Sequence, residues 1–153
     1  MALPNIFIKE ISEQIIQRIN QLTVDAQPLW GKMSVDKMLG HCNVTYDLIF
    51  EPDKYPKPNF LKKFLLKSFV KKFVVNEVNY PQSSPTAKEF IVKEDKNFEL
   101  EKQKLITAIH KVQMLGSSHF EGKESNSFGT LTAIEWNNMF YKHLDHHLKQ
   151  FGL

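Results

Sequence analysis

The chain is poor in cysteine. Cys42 is its single thiol, so no internal disulfide can form and a reducing compartment suits it. Charge bias is small, with 20 basic side chains against 17 acidic ones and a formal net charge of +3. That falls short of the basic stripe that marks nucleic-acid binding. No aromatic and basic arrangement matches a single-strand-binding module either, so nucleic acid is not expected as a partner. No uncharged apolar run reaches the roughly 18 residues that a membrane span requires. The opening residues, MALPNIFIKE, lack a basic segment followed by a long apolar run, so no secretory signal is expected. Internal repeats and low-complexity tracts are absent, and strict alternation of apolar and polar residues is scarce, which leaves few grounds for strands. The expectation is one cytoplasmic domain over residues 1–153, with a hydrophobic share of 42% and one sizeable core.

What the chain does have is helical periodicity. Between Asn5 and Leu22, the residues Ile8, Ile11, Ile15, Ile16, Ile19 and Leu22 recur at spacings of three and four with charged residues between them. Pro28 and Gly31 mark the following connection, with Trp30 as a core plug. Ser34 suits an N-cap and Asp36 the first turn of a second helix, Val35 to Phe50, which stops before Pro52. Pro52, Pro56 and Pro58 form a loop, and FLKKFLLKSFVKKFVV (Phe60 to Val75) then interleaves apolar residues with lysines at helical spacing. Residues 76–88 form a long excursion. A third strong helix is predicted from Lys93 to about Met114 on the apolar positions Phe98, Leu105, Ile106, Ile109 and Val112. After a glycine- and serine-rich connection, Thr132 and Glu135 form a capping box for the last helix, Glu135 to Gly152. The fold class expected is all-α: an up-down four-helix bundle with an extra short helix and long loops.

The last helix concentrates the chemistry. It carries His143, His146 and His147, and an α-helix places His143 and His147, four apart, on one face. Such a pair is a recurrent half-site for a transition metal and needs a third ligand from elsewhere. His41, on the second helix with Met38 and Thr45 on its face, is the best candidate. His110 is the rival, and His119 falls in the connection where it is solvated. His146 lies about 100° from His147 and is placed beside the ligands or at the surface. Gln150 is placed to hydrogen-bond a ligand histidine or a metal-bound water, and Trp136 and Phe140 to build core and pocket wall. The competing reading is that all of these are ordinary surface or core histidines. Cys42, one position off the His41 direction, reads as a buried, inert thiol rather than a ligand or nucleophile. Asp47 and Glu135 lie off the ligand face, so no side chain stands out as a separate general base and the catalytic residues stay unassigned.

Three runs of residues extend this reading: WGKMSVDKMLGH (Trp30 to His41), FGTLTAIEW (Phe128 to Trp136) and HLDHHLKQFG (His143 to Gly152). Together they resemble the DinB-like superfamily, in particular a branch of bacterial proteins of unknown function. The resemblance implies a four-helix bundle, often dimeric, that binds a divalent metal through one histidine of the second helix and two of the last. By position these are His41, His143 and His147. It also implies a transferase or hydrolase chemistry on a small-molecule substrate, in which a low-molecular-weight thiol is activated at the metal. Zinc and nickel are the first choices, although imidazole ligands suit copper and iron as well. Ser117 to Gly129 and the lysine-rich Phe60 to Val75 depart from the family's compact pattern.

Two non-catalytic readings stand beside this one. The chain can be a metal-binding or interaction bundle without enzymatic activity. It can also be a peripheral membrane protein, because no Asp or Glu occurs between Lys54 and Asn76, while lysines are interleaved with phenylalanines. For that stretch the expectation is the plainer one: a solvated lysine face on a helix that packs its phenylalanines on the bundle.

Overall fold

The computed structural model describes residues 2–153, most of them helical. The elements are α1 (Lys9–Gln21), α2 (Val35–Phe50), α3 (Phe60–Leu65), a π-helical turn (Leu66–Val70), α4 (Lys71–Val75), α5 (Phe98–Phe120) and α6 (Ala133–Gln150). Short 3-10 turns cover Pro52–Lys54 and Lys88–Phe90. An antiparallel pair of two-residue strands, β1 (Glu124–Ser125) and β2 (Gly129–Thr130), lies in the glycine-rich connection, which the sequence pattern does not announce.

Four long helices share the core. α5 packs on α1, α2 and α6, and α6 also touches α1, α2 and α4. Ile15, Ile16 and Ile19 of α1 meet Met38, Leu39 and Cys42 of α2, Leu105, Ile109 and Val112 of α5, and Leu144 and Leu148 of α6. At one end the aromatics take over. Phe140 stacks on Tyr46 and on Trp136, and meets Phe7 and Phe120 edge to face. Such pairs add about 1 kcal/mol each beyond the area they bury.

α2 has the bounds its pattern predicts, and the Thr132–Glu135 capping box is formed in both directions. Other elements differ. α5 begins at Phe98 rather than Lys93, because Asn97 Oδ1 accepts the Leu100 N–H and Asp36 Oδ2 draws the Lys96 N–H away from any earlier turn. It also continues past Met114 to Phe120, across a break at Gly116, where φ is +73°. A glycine tolerates that conformation, and it lets the fully buried Phe120 turn back onto Phe7 and Trp136. Ser117 and Ser118 therefore sit in the last turn of α5 rather than in a loop. Trp30 is only partly buried, and its ring lies against His146 instead of plugging the core.

The largest departure is the lysine-rich stretch. Three of its phenylalanines do not pack on the body: Phe60 is 88% exposed, Phe69 74% and Phe64 56%, whereas Phe73 lies against Tyr80. Three of its lysines point inward instead, where Lys62 pairs with Glu89, Lys63 with Glu124 at 2.7 Å and Lys71 with Glu135 at 2.9 Å. A π-helical turn, Leu66–Val70, joins α3 to α4 in mid-segment. At the far end, Lys142 of α6 is 1% exposed and closes over the terminus of α4. Its Nζ donates to Phe73 O at 2.8 Å and to Asn76 O and Oδ1, both at 2.9 Å.

Candidate metal centre

The middle of α2 and the last turns of α6 bring three imidazoles together. His41, His143 and His147 each offer a ring nitrogen, and these nitrogens lie within 4.8 Å of one another. Nε2 of His41 and Nε2 of His143 are 2.9 Å apart. His41 and His147 are buried, while His143 is less deeply covered. Among the described residues no fourth His, Cys, Asp or Glu joins the group.

Each ring is held by its other nitrogen. His41 Nδ1 lies 2.9 Å from Phe90 O, and a carbonyl only accepts, so Nδ1 carries the proton and Nε2 is bare. Gln150 Nε2 donates to Trp30 O at 2.9 Å, which turns its Oε1 toward His147 Nδ1, also at 2.9 Å. His147 is therefore protonated at Nδ1 and bare at Nε2. His143 Nδ1 meets Thr45 Oγ1 at 3.1 Å, and a hydroxyl can donate or accept. This freedom matters. Without a cation, His143 can accept from Thr45 and donate from Nε2 to His41. With one, the hydroxyl accepts from Nδ1 and all three Nε2 lone pairs turn inward. The donor set fits a divalent transition metal, and second partners of this kind hold metal-ligating histidines in orientation.

The electrostatics agree. Burial pushes the His147 imidazole down to about 3, reinforced by the neighbouring His41. Burial and the flanking histidines hold His143 well below its ordinary range, and burial lowers His41 against the opposing pull of the Phe90 carbonyl. Neutral imidazole is the form that binds metal.

The surroundings are aromatic. The Phe90 ring lies 5.3 Å from the ring of His41 and 6.0 Å from that of His143. His146 does not join the three nitrogens; its ring packs on His147, Trp30 and Tyr80 and so braces the centre from one side. Met38 is buried below, within 3.7 Å of Cys42 Sγ, and burial raises that thiol far above its ordinary value. Trp136 and Phe140 belong to the aromatic end of the core, where they stack on each other and meet Phe120. His110 stands apart, 3.8 Å from Glu13, and His119 is exposed near Lys123. Asp47 is clamped by Lys54 and Lys104 at 2.8 Å each. It borders a separate polar cleft between α2 and α5, and Glu135 serves its cap and Lys71.

Sequence reasoning missed Tyr80, in the stretch read as an excursion, and Phe90, between that stretch and the third predicted helix. Phe90 contributes a main-chain oxygen, which any residue type could supply. Gly31 was read only as a connection, yet a Cβ there would come within 2.9 Å of Gln150 Nε2, so the residue beside Trp30 must be small for Gln150 to reach His147.

No curated protein matches the chain, and no solved structure does. A family model described as "Protein of unknown function (DUF1569)" matches residues 8–152. With nearly the whole length covered, the chain belongs to the DUF1569 family.

Proposed function

We propose that this protein is a divalent-metal-dependent enzyme of the DinB-like type, with α1, α2, α5 and α6 as its up-down bundle and His41, His143 and His147 as its metal ligands. The observation that carries the reading is the convergence of three imidazole nitrogens whose opposite nitrogens are each held by a fixed partner. Three protein donors, rather than four, are the pattern of catalytic centres, which keep a position for water or substrate. The resemblance of the His41 and His143–His147 motifs to the superfamily supports the same assignment.

When bound, zinc or nickel supplies Lewis acidity and lowers the pKa of a coordinated water or thiol. The chain's own residues do the rest. Phe90 O, Thr45 and Gln150 orient the rings, and the Phe90 ring limits water at His41. The less covered His143 side is where a small-molecule substrate and a low-molecular-weight thiol would enter. Among the described residues no carboxylate joins the cluster to serve as base, and Asp47 and Glu135 are engaged elsewhere. Transferase or hydrolase activity of this kind, and a homodimer, are what the resemblance adds. The same lack of an acid–base side chain favours the second reading, a metal-binding bundle without catalysis.

Protein purified without an affinity tag should carry about one divalent ion per chain, and His143→Ala should carry none. Equal metal content in the two would end this reading. Gln150→Leu, which keeps all three ligands, should weaken metal affinity by about 10- to 100-fold. Turnover of electrophilic substrates with small thiols, present with metal and absent without it, separates the enzyme from the non-catalytic bundle.

A further inference from the structure

The segment Phe60–Val75 has its amphipathicity inverted with respect to the body. Phe60, Leu61, Phe64 and Phe69 are 88%, 65%, 56% and 74% exposed, four large apolar side chains within ten residues, the kind of surface that marks an interaction site. The lysines Lys62, Lys63 and Lys71 are spent on Glu89, Glu124 and Glu135. Lys72 is exposed and forms no ion pair among the described residues; Lys67 is exposed and unpaired as well, with its flexible stem lying along Gly129. No acidic side chain occurs between Lys54 and Asn76 to oppose them. No helix among the described residues is long and apolar enough to cross a membrane, so whatever receives these rings is met at a surface.

We propose that this segment seats the protein on an anionic lipid bilayer, with the phenylalanines entering the headgroup and acyl boundary and Lys67 and Lys72 resting among acidic headgroups. Charge decides between the candidate occupants. In a two-fold contact between copies of this chain, the same patch meets itself, and its uncompensated lysines would face their own equivalents. A negatively charged bilayer accepts both halves of the pattern: aromatic rings go into the boundary, and ammonium groups reach the phosphate layer on flexible stems. The three inward ion pairs hold the segment with its apolar residues outward before any lipid is met, so the rings need not be turned out on contact.

Vesicle co-sedimentation at low salt tests this. The intact protein should bind vesicles of equimolar phosphatidylcholine and phosphatidylserine, should not bind pure phosphatidylcholine, and should be released by added salt. Phe64→Glu with Phe69→Glu, and separately Lys67→Glu with Lys72→Glu, should each weaken binding at least about tenfold. Phe69→Trp provides a readout that leaves the apolar surface intact. Its emission should shift to the blue on anionic vesicles and be quenched by brominated lipid. Failure to bind anionic vesicles, or equal binding to neutral ones, overturns the proposal. So does a solution dimer that Phe64→Glu with Phe69→Glu dissociates, because the patch would then belong to a second copy.

Discussion

α6 and the Phe60–Val75 segment are built from the same materials, basic residues and aromatics at helical spacing, and they are oriented in opposite ways. In α6 the rings go inward: Trp136 and Phe140 are each 1% exposed, and even Lys142 is buried to its tip. In Phe60–Val75 the rings go outward and lysines reach back to the body. Periodicity states that a helix has two faces; it does not state which one meets the protein. That choice is made by partners far away in the chain. Glu89, Glu124 and Glu135 draw lysines inward in one case. In the other, Phe7, Tyr46 and Phe120 receive aromatic rings.

The comparison breaks most visibly if Phe140 can be removed cheaply. Phe140→Ala deletes a ring packed against four aromatic neighbours and should destabilise the protein by about 3–5 kcal/mol in chemical denaturation. A loss under about 1 kcal/mol would mean that the aromatic end of the core is not closely packed, and the contrast with the exposed segment would vanish.

Lys142 sharpens the same comparison from the side of charge. Burial brings its ammonium down to about 8, and its three acceptors all lie between residues 73 and 76. It therefore holds the end of the outward-facing segment to the helix that carries the histidines. Lys142→Met keeps most of the volume but takes the donor from the carbonyls of Phe73 and Asn76, while Asn76 Oδ1 keeps the Val78 N–H, and should cost on the order of 2–3 kcal/mol. Hydrogen exchange should rise first around residues 73–76. A variant as stable as the parent, with unchanged exchange there, would show that the segment is held by its other lysines alone.

These contrasts also explain what was legible in the sequence. The three histidines were, because the spacing of His143 and His147 is a property of one helix, and the second-helix motif places His41 at its known phase. The bounds of α2 and the cap of α6 follow from local side-chain chemistry, so they could be read as well. Gln150 and Thr45 were found because each shares a helical face with one of the three histidines. Phe90 could not be found, since it acts through a carbonyl that every residue carries. Lys142 reads as surface in any one-dimensional pattern, and the continuation of α5 beyond Gly116 depends on a pocket for Phe120 built from distant residues. The inward turn of the lysines needed glutamates 27 to 64 residues away, beyond the reach of periodicity.

The smallest effect is expected at the tip of the exposed segment, and its smallness is the point. Phe60 is 88% exposed, so replacing it by serine removes almost no burial. The cap of that helix does not depend on it either: Asn59 Oδ1 accepts the Lys62 N–H at 2.8 Å whatever occupies position 60. Serine and phenylalanine also have similar helix propensities. Phe60→Ser should therefore change the unfolding free energy by no more than about 0.5 kcal/mol in denaturant titration without lipid. A loss of about 2 kcal/mol or more would mean that the ring is covered in solution, by the body or by a second copy, since an exposed side chain has no such stabilisation to lose. The two regions would then differ only in which neighbour receives their rings, and the segment would have no free apolar face to offer a membrane.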